Sequence, residues 1–278
     1  MGLVEGKVAI ITGATSGIGA RTVELFVEEG ARVLFTGRRQ EEGEAIANRI
    51  GDKAAFLRAD ATLETDWKKV VAETQRRFGR IDCLFNNAGG PAPTGSITSI
   101  DVDDFDDAMA LLVRSVMLGM KHVGKVMTAQ KSGAIINNAS VAGHLAGYSS
   151  SMIYSAAKAA VKHLTVCAGM ELGEHNVRVN SVSPGAIATG ILAKALGMEH
   201  HAADEVAEKM KDGFAKAQPI PRAGVTDDIA QCVLFLASDR GSFINATDIV
   251  IDGGLIGGKM YSPHQEQLRQ TKMALGIR

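Results

Sequence analysis

The chain has 278 residues, 46% hydrophobic and 22% charged, enough apolar material for a sizeable core. Its 30 basic and 31 acidic residues leave a formal charge of −1, which excludes an electrostatic nucleic-acid binder and a polybasic membrane-surface protein. Cys83, Cys167 and Cys232 are too few and too scattered for a disulfide framework or a metal knuckle. No metal is expected, and a reducing, cytoplasmic setting is. The N-terminus lacks a secretory pattern, and no run approaches the ~18 apolar residues of a membrane span.

In chain order, short apolar runs alternate with longer helix-patterned segments. The runs are Val8-Ala9-Ile10-Ile11-Thr12, Arg32-Val33-Leu34-Phe35-Thr36, Ala55-Phe56-Leu57, Cys83-Leu84-Phe85, Ala134-Ile135-Ile136, Val177-Arg178-Val179 and Ile249-Val250-Ile251. Most are continuously apolar, as strands covered on both faces of a parallel sheet must be. Helical spacing is read over 18–29, 41–49, 65–78 and 154–174, with Gly30, Gly51, Gly79 and Gly173 placed to stop the helices. The alternation predicts an α/β fold, a doubly wound parallel sheet with helices on both faces. No linker composition appears, so residues 1–258 read as one dinucleotide-binding and catalytic domain. Residues 190–221 interrupt the alternation as a substrate lid, and 259–278 form a polar C-terminal tail.

Between the first run and the first helix lies Thr12-Gly13-Ala14-Thr15-Ser16-Gly17-Ile18-Gly19. Glycines let such a turn approach a pyrophosphate closely, and the helix N-terminus offers it free N–H groups and positive dipole. The spacing is GxxxGxG and no Gly-Lys-Ser/Thr follows, so it is not a P-loop. After the second run the chain reads Thr36-Gly37-Arg38-Arg39. A carboxylate there would bind the ribose 2′-hydroxyl of NAD; none is present, and Arg38 suits a 2′-phosphate. NADP(H) is favoured and NAD(H) stays open.

Tyr154 and Lys158 stand four residues apart, on one face of a helix. An ammonium near a phenol favours phenolate and is expected to lower its pKa, letting Tyr154 exchange a proton with an alcohol or carbonyl oxygen. Lys158 can also hold the nicotinamide ribose. Ser140, at the end of Ile135-Ile136-Asn137-Asn138-Ala139, can hydrogen-bond the developing oxyanion.

Taken together, these motifs resemble the short-chain dehydrogenase/reductase family over residues 4–258. The resemblance rests on TGATSGIG at 12–19, Asp60, Asn86-Asn87-Ala88-Gly89, Ser140, Tyr154-Ser155-Ala156-Ala157-Lys158 and the stretch from Pro184 to Thr189. It implies a Rossmann-type sheet and hydride transfer between a nicotinamide and an alcohol or ketone. In it, Gly13, Thr15, Ser16, Gly17, Ile18 and Gly19 would bind the pyrophosphate side of the cofactor. Asp60 and Ala61 would meet the adenine, with Asn87, Ala88 and Gly89 on the adenosine ribose side. Pro184, Gly185, Ile187 and Thr189 would hold the carboxamide. A homotetramer is implied by the same kinship.

One position departs from the family pattern. Leu112, in Leu111-Leu112-Val113-Arg114-Ser115-Val116, stands where relatives carry an asparagine that positions a relay water. Three readings stay open: a main-chain carbonyl holds the water, Ser115 or Tyr148 substitutes, or the protein is a non-catalytic dinucleotide-binding regulator. Intact Ser140, Tyr154 and Lys158 favour an active enzyme.

The substrate side is expected to include His144, Ile191 and Leu192, in an apolar setting suited to a hydrophobic or cyclic small molecule. His200-His201 reads as solvated lid rather than a chelate, because adjacent helical residues diverge. The acidic run from Asp101 to Asp107 reads as charge at a helix N-terminus, and Met109, Met117, Met120 and Met127 as helix packing.

Overall fold

A computed structural model describes residues 2–189 and 209–277. Seven strands form one parallel sheet in the order β3-β2-β1-β4-β5-β6-β7. They are β1 (Val8–Ile11), β2 (Arg32–Gly37), β3 (Ala54–Arg58), β4 (Cys83–Asn86), β5 (Gly133–Asn138), β6 (Val177–Pro184) and β7 (Asp248–Ile251). Every apolar run of the sequence is thus a strand, and the doubly wound reading holds.

Successive strand residues face opposite sides of the sheet, and both sides are covered. Ile10, Leu34, Leu84, Ile135 and Val179 enter one apolar layer, where they meet α3 (Glu64–Phe78), α5 (Ser115–Gln130) and α6 (Met152–Gly173) through Trp67, Val123 and Val161. Ile11, Val33, Phe35, Phe85 and Ile136 enter the other, against α1 (Gly17–Glu28), α2 (Gln40–Ile50) and α8 (Thr226–Ala237). The remaining described helices are α4 (Val102–Met109), α7 (Lys211–Ala217) and α9 (Tyr261–Ala274).

The helix stops follow the glycines with one correction. Gly51 and Gly79 are C-caps at φ 88° and 81°, and Gly30 lies just past α1 at φ 92°. Gly173 instead is the last residue of α6, pressed on Asn245, and the left-handed turn is made by Asn176. Asp101 caps α4 by accepting from the N–H groups of Asp103 and Asp104, which explains the acidic run. Met120 and Met127 are core residues, whereas Met117 is exposed on α5. Between α4 and α5 the chain makes a π-helical turn, Ala110–Arg114, which no periodicity signalled. The tail folds as α9, none of whose residues is buried.

β1 and β4 are neighbours joined through crossovers in opposite directions, so a crevice opens at their carboxyl ends. The sequence motifs converge there.

Candidate active site

The turn after β1 is built to pass close to β4. Gly13 sits at φ 64°, and a Cβ on it would lie 2.6 Å from the Ala88 Cα. Thr12 ties the two strand ends together, its hydroxyl accepting from the N–H groups of Asn87 (3.1 Å) and Ala88 (3.0 Å). Ser16 begins α1 without a side-chain capping bond, which leaves the first-turn N–H groups to an anion, and a Cβ on Gly17 would meet only Thr189, at 3.9 Å. An open glycine facing an uncapped helix start is the cradle a pyrophosphate requires.

At the end of β5 the chain turns through Ser140, whose hydroxyl accepts from the Ala142 N–H at 3.2 Å to cap the short 3-10 turn Val141–Gly143. This turn lies directly on α6, because a Cβ on Gly143 would come within 2.7 Å of the Lys158 backbone. α6 itself starts where Ser151 accepts from the Tyr154 N–H (3.1 Å) and donates to the Pro93 carbonyl (2.6 Å). One helix start therefore sets the height of Tyr154 against the Ser140 turn.

The Ser140 side chain acts on the Tyr154 hydroxyl, favouring its ionised form. One turn further, Lys158 is buried, with Nζ donating to the Asn138 carbonyl oxygen at 2.6 Å and lying 5.5 Å from the Tyr154 ring centre. The two side chains are together, but the electrostatics correct the expectation drawn from spacing. Burial pushes the Tyr154 phenol up to about 12, only partly offset by Ser140, and pushes the Lys158 ammonium down to about 8. Desolvation penalises each charged form more than the neighbour rewards it.

These residues border two adjoining cavities. The larger, about 400 Å³, runs from Gly13 and Gly17 past Asn87 and Lys158 to Pro184 and Thr189. The smaller, about 220 Å³, is walled by Val141, Tyr148, Ile187, Phe214 and Leu255. Ser140 and Tyr154 belong to both, at the junction.

Other expected residues sit in defined surroundings. Asn87 borders the larger cavity, but its amide is spent on the carbonyls of Thr12 (2.9 Å) and Gly13 (3.1 Å), so it braces the loop. Asp60 accepts from the Thr62 N–H and hydroxyl, the Ala61 carbonyl accepts from the Trp67 indole at 2.9 Å, and both border only a minor cavity beside β1 and β2. Arg38 is exposed. Its neighbour Arg39 instead donates to the hydroxyls of Thr15 (2.8 Å) and Ser16 (2.7 Å), over the phosphate loop. Sequence reasoning passed over Arg39, although the paired arginines were the available signal.

His144 does not line either cavity. It turns under the sheet edge, its Nε2 2.7 Å from Asp248, which also accepts from the hydroxyls of Ser181 (2.5 Å) and Ser183 (3.0 Å). A carboxylate at the first position of β7 was an unread signal for that pairing. Leu112 is fully buried in the π-helical turn and walls the larger cavity. The suggested substitutes are engaged elsewhere, Ser115 donating to the Leu111 carbonyl (2.5 Å) and Tyr148 to that of Leu255 (3.2 Å). Ile191, Leu192 and His200-His201 lie outside the described residues. Among those described, no cluster of metal-binding side chains occurs, and no helix is long and apolar enough to cross a membrane.

Comparison with known proteins agrees with this layout. Residues 13–256 match the family model described as enoyl-(acyl carrier protein) reductase. The chain is 38% identical over 255 residues to momilactone A synthase of Oryza sativa subsp. japonica, covering 90% of both chains. The chain belongs to the short-chain dehydrogenase/reductase family. This short-chain dehydrogenase/reductase is also 36% identical over 258 residues to (+)-borneol dehydrogenase 2 of Salvia officinalis, covering 90% of this chain and 89% of the relative. The crystal structure of levodione reductase superposes with a TM-score of 0.82 at 32% identity, covering 92% of this chain and 99% of that one. Membership makes the chain an oxidoreductase and implies a nicotinamide dinucleotide cofactor, NAD or NADP, which the cradle of Gly13, Ser16 and Gly17 fits.

Proposed function

We propose that the chain interconverts a secondary alcohol and a ketone, using NADP(H) in preference to NAD(H). The observation that carries this reading is that Ser140 and Tyr154 both line the junction of the two cavities, with Lys158 buried one helical turn away. The dinucleotide, when bound, supplies or takes the hydride at the substrate carbon. Every other task falls to side chains of this protein.

A substrate oxygen at the junction meets two hydroxyls. With the phenol held near 12, Tyr154 is protonated at neutral pH and gives its proton to a carbonyl oxygen, becoming phenolate; in the reverse direction the phenolate takes the alcohol proton. Ser140 hydrogen-bonds the same oxygen and stabilises the charge that develops on it. Lys158, at about 8, is mostly cationic at pH 7 and holds the nicotinamide ribose. Ile187 and Thr189, beyond the Pro184-Gly185 turn, hold the carboxamide, and Thr15, Ile18 and Gly19 complete the phosphate side.

Arg38, exposed at the end of β2, and Arg39, over the phosphate loop and paired with Glu42 at 3.5 Å, support a 2′-phosphate. The smaller cavity, lined mainly by apolar side chains that include Phe214, supports a compact neutral substrate. Residues 1–258 act as one unit, and 259–278 as a surface tail. A cytoplasmic homotetramer completes the reading, supported by exposed Met117, Val166 and Met170 on α5 and α6. The rival, a non-catalytic dinucleotide binder, draws on Leu112 alone and leaves the assembled Ser140-Tyr154-Lys158 set without a purpose.

The test is turnover of a panel of neutral cyclic ketones with NADPH and with NADH. Measurable reduction that Tyr154→Phe abolishes, with NADPH still bound, is expected, and Arg39→Ala should narrow the preference for NADPH. A wild-type protein that binds NADPH but reduces nothing in the panel would favour the rival.

A further inference from the structure

The smaller cavity has two polar regions. One is its junction with the larger cavity, at Ser140 and Tyr154. The other, from Tyr148 to Ser151, lines the smaller cavity alone and takes no part in the hydride and proton chemistry. Among the described residues no charged side chain borders this cavity, so recognition there falls to neutral polar groups.

A hydroxyl offers one donor and two acceptor positions, and these hydroxyls have spent different parts of that capacity. Tyr148 gives its proton to the main-chain oxygen of Leu255 at 3.2 Å. That oxygen belongs to a pinned turn, because the Asp252 carboxylate accepts from the N–H groups of Gly254 and Ile256, each at 2.8 Å. With its donor engaged, Tyr148 is left with acceptor capacity. Ser149 is the reverse. Its oxygen accepts from the Ser151 N–H at 3.1 Å, and its proton has no acceptor among the described residues. Ser151 has used both functions, on the Tyr154 N–H and the Pro93 carbonyl. Ser150 is exposed and open to water.

An acceptor and a donor on adjacent residues are both answered by one group only if that group donates and accepts at once. A hydroxyl does so, whereas a carbonyl only accepts, an ammonium only donates and a methyl group does neither. We propose that the substrate is a compact neutral hydroxyketone, or in the reverse direction a diol, whose second hydroxyl donates to Tyr148 Oη and accepts from Ser149 Oγ. Tyr148 and Ser149 are thus specificity-determining residues, while Val141, Ile187, Phe214 and Leu255 pack on the ring skeleton. Reduction adds the hydride to the carbonyl carbon and the Tyr154 proton to its oxygen, and the second hydroxyl is unchanged. The inference rests on the alcohol–ketone reading and names the substrate class within it.

The experiment measures dissociation constants by calorimetry with oxidised cofactor present, where no hydride is available to a ketone. The matched pairs are 4-hydroxy-4-methylcyclohexanone with 4,4-dimethylcyclohexanone, and 5-hydroxy-2-adamantanone with 5-methyl-2-adamantanone. Each hydroxyl is tertiary, so it cannot be oxidised during the measurement. In at least one pair the hydroxylated member should bind wild type about tenfold more tightly than its methyl partner. That preference should fall to about threefold in Tyr148→Phe and in Ser149→Ala and vanish in the double variant, with the methyl compounds bound as before. Equal binding within both pairs, or a preference that survives in the double variant, overturns the proposal. Should Ser149→Ala disturb the start of α6, weaker binding of the methyl compounds reports it, and Tyr148→Phe then decides by the same ratio. Turnover with reduced cofactor is read separately: a protein that reduces none of the ketones sinks the alcohol–ketone reading, while the binding ratios still decide the hydroxyl site.

Discussion

Lys158 is a buried cation whose folded-state pKa, about 8, lies below its ordinary value of 10.5. Below pH 8 the ammonium is present in folded and unfolded chains alike, and the folded protein bears the full desolvation cost. Between pH 8 and 10.5 the folded form sheds its proton first, so the cost shrinks as pH rises and is gone above the unfolded value. A depression of this size corresponds to about 3 kcal/mol at neutral pH. Lys158→Met removes the cost but strands the Asn138 carbonyl that Nζ now occupies, a loss of about 1 kcal/mol. The variant should therefore be more stable than wild type by about 2 kcal/mol at pH 7, a rise in Tm of about 4–8 °C. Thermal unfolding of both proteins from pH 6 to 10 measures it. The difference should be constant to pH 8 and vanish by about pH 10. Tyr154 shifts the opposite way, its raised pKa favouring the folded state until pH exceeds 10, but it is common to both proteins and cancels. A stability difference independent of pH, or a less stable Lys158→Met at pH 7, would refute the claim that burial dominates this site.

Two further outcomes are expected. Gly13→Ala forces a side chain onto the Ala88 backbone at positive φ, so it should cost about 2 kcal/mol or more in a urea melt and weaken NADPH binding seen by fluorescence; an unchanged melt would mean that the β1 turn is free to move away from β4. Asp248→Ala strands Ser181, Ser183 and His144 together and should destabilise by about 2–4 kcal/mol, with Asp248→Asn recovering part of the loss. If both variants lose activity but not stability, His144 belongs to the substrate site after all.

The apolar runs carried the sheet because a strand buried on both faces has no other way to be written, and the order of motifs carried the family. Gly13 at a forced turn and Tyr154 four residues from Lys158 were legible for the same reason, since each depends on local geometry alone. The partners of Arg39, His144 and Asn138 were not legible, because Thr15, Asp248 and Asn87 reach them from 24, 104 and 51 residues away. The π-helical turn that buries Leu112 likewise leaves no period in the residues around it. Nor could spacing show that the phenol rises rather than falls: proximity is a property of the helix, but desolvation depends on everything packed around it, and here it outweighs the neighbouring charge.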